Sequence, residues 1–271
     1  MEHAQFFDTL WNEYTKRTPS AKLIHELFQS KGESEILNDH IAIRTYNHPE
    51  IGVEAMSRPF LAVGYEAKGE YRFEKKKLKA VHFEHKTDRN APKVFISELC
   101  VEELSSKAQE TIKNVVSAID FNQLNTEQLV LQGRVWGTPS HATYAALLEE
   151  SEYAAWVYVY GFCINHFTVN VNALQNFETL ESVNQLLKDN GYAMNTSGGE
   201  IKGTPAQLLE QSSTLADKYS VEFQEGTYDI PSCYYEFARR YPQADGELYH
   251  GFIASSADKI FESTDVKQAA K

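Results

Sequence analysis

The chain has 271 residues, of which 42% are hydrophobic and 24% charged. That is enough for a core needing no disulfide or structural metal. Lys and Arg number 26 against 38 Asp and Glu, a formal net charge of −12, which disfavours nucleic acid and anionic lipid as partners. An acidic small molecule is repelled at long range as well, so an anionic substrate needs a locally placed Arg or Lys. Cys100, Cys163 and Cys233 are odd in number and widely spaced, which is neither a disulfide framework nor a cysteine zinc site. The opening MEHAQFFDTLWNEY lacks the cationic start and apolar run of a signal peptide. The most apolar stretch, 153–164, is shorter than the ~20 residues a membrane helix needs. These features lead to the expectation of a soluble cytoplasmic protein.

Residues 4–31 predict two helices, with Phe6, Phe7, Leu10, Trp11 and Tyr14 at helical spacing and a break at Pro19. Asp39–Tyr46 is β-branched and reads as a strand. Residues 49–63 read as a helix opening at Pro49, followed by strands around 71–73, 80–85 and 93–99. A helix is expected over 101–119, and Thr138-Pro139-Ser140 marks another helix start. A second strand-rich block runs from about Tyr158 to Val171. An amphipathic helix is predicted over 177–190 with Gly191 as its stop, then a Gly-rich stretch at 196–203 and a helix over 205–218. Strands follow at 221–223 and 230–239, and the polar tail from about Glu262 is expected to fray. The reading is one domain over 1–271, with a first module at about 36–100, a helical insertion at 101–150 and a second module at about 155–255. Each module opens with a strand, continues with a helix and closes with strands, a duplication of order without a repeat of sequence.

Three polar residues stand out on these strands. In DHIAIRT, side chains alternate, so His40, Ala42 and Arg44 share one face while Ile41 and Ile43 pack on the other. A half-exposed strand with solvent-facing polar groups is the competing reading. His166, in CINHFTV, lies among aromatic and β-branched residues and needs a partner, either a backbone carbonyl or a metal. Glu236, in CYYEFARR, is a carboxylate in an aromatic strand, to be paired with a nearby Arg or coordinated. Two imidazoles and one carboxylate on strands match the facial triad of Fe(II) oxygenases, and suit Mn(II) or Zn(II) equally by ligand type. His82 and His85 fall on opposite faces of one strand and cannot share an ion, though Glu84 could border a pocket. His3, His25, His48, His141 and His250 read as structural or surface residues.

The segments DHIAIRT, NHFTVN, GGEIKGTPAQLLEQSS and YYEFARRY resemble the 2-oxoadipate dioxygenase/decarboxylase family over roughly residues 5–255. The resemblance implies a vicinal oxygen chelate-like α+β fold. Paired βαβββ modules would form a curved mixed sheet around a metal site, with a helical N-terminus and helical insertions. It implies Fe(II) held by His40, His166 and Glu236, and Arg44 on the substrate's distal carboxylate. The implied reaction takes 2-oxoadipate and O₂ to 2-hydroxyglutarate and CO₂, a step of lysine degradation, with no separate cosubstrate. The implied partners are thus a small 2-oxo acid and O₂. Four residues of strand at ~3.3 Å each put Arg44 about 13 Å along the chain from His40, which suits a substrate stretched between iron and guanidinium. A surface ion pair is the alternative for Arg44. Ser197 and Gly198, and Gln211 and Ser212, are candidate pocket residues, since amides at a Gly-rich turn bind anions. Loop and helix-cap roles compete for these. Two other functions remain open: a non-redox metal isomerase or lyase of the same superfamily, and a metal-free protein that binds a small molecule.

Overall fold

The apolar spacing of the N-terminus produces helices where it predicts them. In the computed structural model, which describes residues 3–265, these are α1 (His3–Thr15) and α2 (Pro19–Ser30). Pro19 sits in the first turn, where a missing N–H leaves no bond unmade, and Ala21, Ile24 and Phe28 form the buried stripe. The chain then enters β1 (Asn38–Tyr46), where every residue from Asp39 onward is buried. This excludes the half-exposed reading of the strand. Next comes α3 (Val53–Ala62), which starts later than Pro49 because Glu98 Oε2 accepts the Val53 N–H at 2.8 Å in place of a local cap. Strands β2 (Tyr65–Phe73), β3 (Leu78–His85) and β4 (Lys93–Leu99) follow.

The single helix expected over 101–119 is divided into a short turn at 101–103 and α4 (Ser106–Ser117), whose cap Ser105 accepts from Ala108 N at 3.3 Å. The Thr-Pro-Ser signal is followed by α5 (His141–Glu150), capped by Ser140. Residues 152–160, partly assigned above to a strand block, form α6 (Glu152–Tyr160) instead. From Tyr153 onward all of its residues are buried, so no polar face reveals the helical period. Then come β5 (Ile164–Asn170) and α7 (Leu180–Asp189), the latter opened by a Thr179–Ser182 capping box.

The helix expected over 205–218 is absent. The chain there forms β6 (Lys202–Thr204), one turn at 205–207, β7 (Leu209–Ser213) and the start of β8 (Lys218–Phe223). Gly203 (φ 79°) and Leu208 (φ 68°) reverse the backbone on either side of Pro205, and Lys202 and Gln211 become cross-strand partners. The strand expected at 230–239 is two, β9 (Gly226–Pro231) and β10 (Tyr234–Arg240), parted where Ser232 N bonds Asp217 O at 2.8 Å. After α8 (Ala254–Ile260), residues 261–264 form a turn in which Phe261, Ser263 and Thr264 are buried. The frayed tail therefore does not begin at Glu262; residues 266–271 of that expectation lie outside the described residues.

The chain divides into two compact units. Among the described residues, the first comprises 3–13, Ala42–Asn165 and Lys218–Ile230; the second comprises Tyr14–Ile41, His166–Asp217 and 231–265. The main sheet has eight strands. Within the first unit its strands run in the order β2-β3-β4-β1, and β8-β9 form a separate pair. Within the second unit the order is β1-β5-β10-β7-β6, with β10 parallel to β5 and antiparallel to β7. The successions β1-α3-β2-β3-β4 and β5-α7-β6-β7-β10 are both β-α-β-β-β, so the duplicated order is present and the sheet is mixed. One face of the second unit's sheet is apolar: Phe167 meets Tyr14 at 5.1 Å and Phe237 meets Phe28 at 6.1 Å between ring centroids.

Candidate metal centre

Strand alternation and register assemble a polar cluster on the other face of the second unit's sheet. On the parallel pair β5/β10, Tyr234 lies beside His166 and Glu236 beside Thr168, so His166, Thr168 and Glu236 point the same way. On the antiparallel pair β10/β7, Glu236 faces Ser213 and Ala238 faces Gln211. His40, on the part of β1 that belongs to this unit, completes the group. Ligand atoms of His40, His166 and Glu236 all lie within 4.8 Å of one another, and all three residues are buried. Glu236 is 0% exposed.

The contacts fix how each group is presented. Asp39 Oδ1 accepts from His40 Nδ1 at 2.7 Å, and because a carboxylate only accepts, Nδ1 carries the proton and Nε2 turns toward Glu236. His40 Nε2 lies 3.4 Å from Glu236 Oε1 and 3.1 Å from Thr168 Oγ1, and His166 Nε2 lies 3.1 Å from Glu236 Oε2. Gln211 Nε2 donates to Glu236 Oε1 at 2.7 Å. Burial alone would raise the Glu236 carboxyl, but the two imidazoles outweigh it and hold it down to about 2. Burial pulls His40 the other way, and Glu236 with Asp39 raises it overall. Tyr234 stacks on His166 at 4.6 Å, and Phe252 meets His40 edge-on at 4.9 Å.

The arginine expected as an alternative partner for Glu236 is engaged elsewhere. Arg240 holds Asp39 through two bonds of 2.7 and 2.9 Å, and its Nη1 donates to the carbonyls of Tyr249 and Gly251 at 2.9 and 2.8 Å. Gln211 Oε1 is buried and accepts no hydrogen bond, and Glu236 Oε2 has beside it only the imidazole of its fellow ligand His166, at 3.1 Å. An unsatisfied buried acceptor costs about 1–3 kcal/mol, and more when charged; a divalent cation among the three ligands would relieve that. The donor set of two nitrogens and one oxygen thus fits a metal ion. A second group of nearby ligand types, Cys100, Glu102 and Glu103, contrasts with it. There Arg72 supplies the positive charge, at 2.9 Å from Cys100 Sγ and 2.6 Å from Glu103 Oε1.

The other expected residues disperse. Arg44, in the first unit, is 0% exposed, bonds Glu152 Oε1 at 3.0 Å and lies 5.2 Å from the Tyr153 and Trp156 rings; its ion pair is buried on the arginine side and is not a surface one. Of the four candidate pocket residues, only Gln211 reaches the metal group. Ser212 turns to the opposite face and donates to Asn184 Oδ1 at 2.7 Å. The Ser197 hydroxyl donates to Glu262, and Gly198 lies beside the Lys259 side chain. His82 is buried between Tyr71 OH (2.9 Å) and Glu84 Oε1 (3.0 Å), which accounts for Glu84 as well. Sequence reasoning assigned no role to Asp39, Arg240, Thr168 or Lys202. Of these, Arg240 had a signal in the sequence, a charged residue directly after an expected strand, the usual mark of a buried partner.

Comparison with known proteins agrees with this architecture. The model of the 2-oxoadipate dioxygenase/decarboxylase family matches residues 6–247. A relative from Oryza sativa subsp. japonica, named 2-oxoadipate dioxygenase/decarboxylase, chloroplastic/amyloplastic, is 34% identical over 95% of this chain and 77% of its own. The crystal structure of hydroxyglutarate synthase in complex with 2-oxoadipate, also from Oryza sativa, is 33% identical with a TM-score of 0.91, covering 99% of this chain and 95% of that one. A Shewanella frigidimarina NCIMB 400 protein provisionally named a hydrolase is 50% identical with a TM-score of 0.88, over 93% of this chain and 98% of that one. The fold is shared with a Ralstonia eutropha JMP134 protein provisionally named as one of the glyoxalase superfamily, at 20% identity and a TM-score of 0.75, over 90% of this chain and 83% of that one. By the reach of the family model and the identity to its curated relative, this chain belongs to the 2-oxoadipate dioxygenase/decarboxylase family.

Proposed function

We propose that this chain is an Fe(II)-dependent dioxygenase that converts 2-oxoadipate and O₂ to 2-hydroxyglutarate and CO₂, with the metal held by His40, His166 and Glu236. The observation that carries the reading is the buried convergence of those three side chains, with the two imidazole Nε2 atoms turned to the Glu236 carboxylate at 3.4 and 3.1 Å. Fe(II) at this position would chelate the 2-oxo acid and bring O₂ to it. The chain's own residues prepare the site. Asp39 fixes the proton on His40 Nδ1, so that Nε2 offers its lone pair. Gln211 occupies Glu236 Oε1 and leaves Oε2 as the freer ligand oxygen. Arg44 is assigned to the distal carboxylate, with Glu152 its partner in the absence of substrate. Losing that contact in Arg44→Ala should weaken substrate use by about 1.5–3 kcal/mol. The reading places the enzyme in a reducing compartment such as the cytoplasm, consistent with three buried cysteines that form no disulfide. Among the described residues no helix is long and apolar enough to cross a membrane.

A metal-dependent enzyme without redox chemistry would use the same ligands, and the hydrolase name of the Shewanella relative favours keeping that reading in view. Oxygen uptake separates the two. The protein is loaded with Fe(II) under anaerobic conditions and exposed to O₂ with a panel of 2-oxo diacids. The expected result is O₂ consumption with 2-oxoadipate, abolished in Glu236→Ala. Uptake with a different diacid would correct the substrate and keep the class; no uptake with any acid would overturn the oxygenase reading.

A further inference from the structure

Lys202 is the one lysine of β6, and it is 3% exposed. It stands opposite Gln211 across the β6/β7 pair, and Gln211 is the residue that donates to Glu236 Oε1. Lys202 therefore belongs to the face that carries the metal group. Its ammonium donates to two neutral acceptors, the carbonyls of Asn195 (2.5 Å) and Glu200 (3.3 Å). Among the described residues no carboxylate pairs with it directly. The acids whose charge reaches it are Glu236, Glu200 and Glu262. Two of these have closer cations: Glu200 pairs with Lys188 at 3.2 Å, and Glu262 pairs with Lys259 at 3.0 Å. Glu236 is left as its counter-charge, and a metal ion would take that over.

A buried ammonium held only by neutral carbonyls is costly. Burial lowers its pKa to about 8, so it remains largely charged at neutral pH. Beside it on the same face are Gln211 Oε1, a buried oxygen without a donor, and the Glu236 carboxylate. A buried cation, an unsatisfied acceptor and a group of three metal-ligand side chains at neighbouring positions describe a place for a metal together with an anion. Asp39 and Arg240 cancel each other, and so do Arg44 and Glu152, so Arg44 can contact the distal carboxylate without changing the net charge that the substrate meets. A divalent ion, Glu236 and Lys202 then leave two positive charges uncompensated. A dicarboxylate cancels both, and a monocarboxylate leaves one.

We propose that Lys202 is a specificity-determining residue that makes this site select a dianionic 2-oxo acid over a monoanionic one of the same chain length. This rests on the metal site and 2-oxo acid reading given above. The test is calorimetric titration of the Zn(II)-loaded protein, which binds without turning over, with 2-oxoadipate and with 2-oxohexanoate. Lys202→Met should weaken 2-oxoadipate binding at least 10-fold and 2-oxohexanoate binding less than 3-fold, with Zn(II) affinity within 3-fold of the parent. Lys202→Arg should keep most of the preference. Lys202→Gln, which retains donors for the two carbonyls without the charge, carries the same expectation where Lys202→Met does not fold. Equal loss for both acids, or no loss, would overturn the proposal, as would failure of both neutral variants to fold, which would assign Lys202 to holding the 195–200 loop. If the parent protein binds neither acid, the functional reading itself fails; if it binds them irrespective of Lys202, only this inference does.

Discussion

Asp39 and Arg240 show how much of the centre lies outside its three ligands. Both are nearly fully buried, and the Arg240–Asp39–His40 chain fixes the imidazole by bonds of 2.7 to 2.9 Å. Asp39→Ala should lower metal affinity roughly 10–100-fold, the usual effect of losing such an outer partner. Asp39→Asn, whose amide oxygen still accepts from Nδ1, should lose less; a chelator-competition titration measures both. The same residues set a pH dependence. In the metal-free protein Glu236 falls from 4.5 to about 2, so its contribution to stability is present above pH 4.5 and is lost as pH falls through the native value. His40 is raised from 6.5, so its contribution is full below pH 6.5 and is lost as pH rises through its native value. Metal-free stability should therefore peak between these limits. Metal affinity should climb with pH until His40 has lost its extra proton, because proton and ion compete for Nε2. Urea midpoints across pH, with and without Zn(II), check both slopes; a metal-bound optimum no higher than the metal-free one would contradict the assignment.

At the scale of elements, the readable parts of the site were those on strands with clear alternation. His40, His166 and Glu236 stood out because a polar side chain in a β-branched or aromatic run demands a partner, and the structure brings the three together. The rule that made them visible hid Asp39: neighbours on a strand are expected to point apart, yet Asp39 bonds the His40 ring. Lys202 was hidden by a wrong element, which also concealed how Gln211, itself an expected pocket residue, is placed. With 205–218 read as a helix, nothing placed residue 202 opposite 211, and only the reversal through Gly203 and Leu208 does so. α6 was missed for a different reason, since a helix buried on every side has no amphipathic period, and Ser151, its cap at 3.1 Å from Ala154 N, was the surviving signal. The β6/β7 reversal can be tested directly. Gly203 has φ 79°, and a Cβ there would come within 2.1 Å of the Leu209 carbonyl oxygen. Gly203→Ala should cost at least about 1–3 kcal/mol of stability in chemical denaturation; an unchanged midpoint would mean that the turn relaxes freely.

At the scale of the molecule, His40, His166 and Glu236 all belong to the second compact unit, although they are distant in sequence. Metal binding should therefore protect that unit selectively. Hydrogen exchange with and without Zn(II) should slow amides in β5, β7 and β10 while leaving β2, β3 and β4 of the first unit largely unchanged. At one hundred times its dissociation constant the ion should add about 2.7 kcal/mol to stability. The net charge of −12 gives no general attraction for a dicarboxylate, which leaves recognition to local cations. The most direct test of the whole account is anomalous X-ray diffraction at the iron edge from crystals grown anaerobically with Fe(II). The account predicts a single strong peak in each chain, bounded by the Nε2 atoms of His40 and His166 and by a Glu236 carboxylate oxygen. A chain fully occupied by iron at any other position, with Glu236 turned away from both imidazoles, would contradict it.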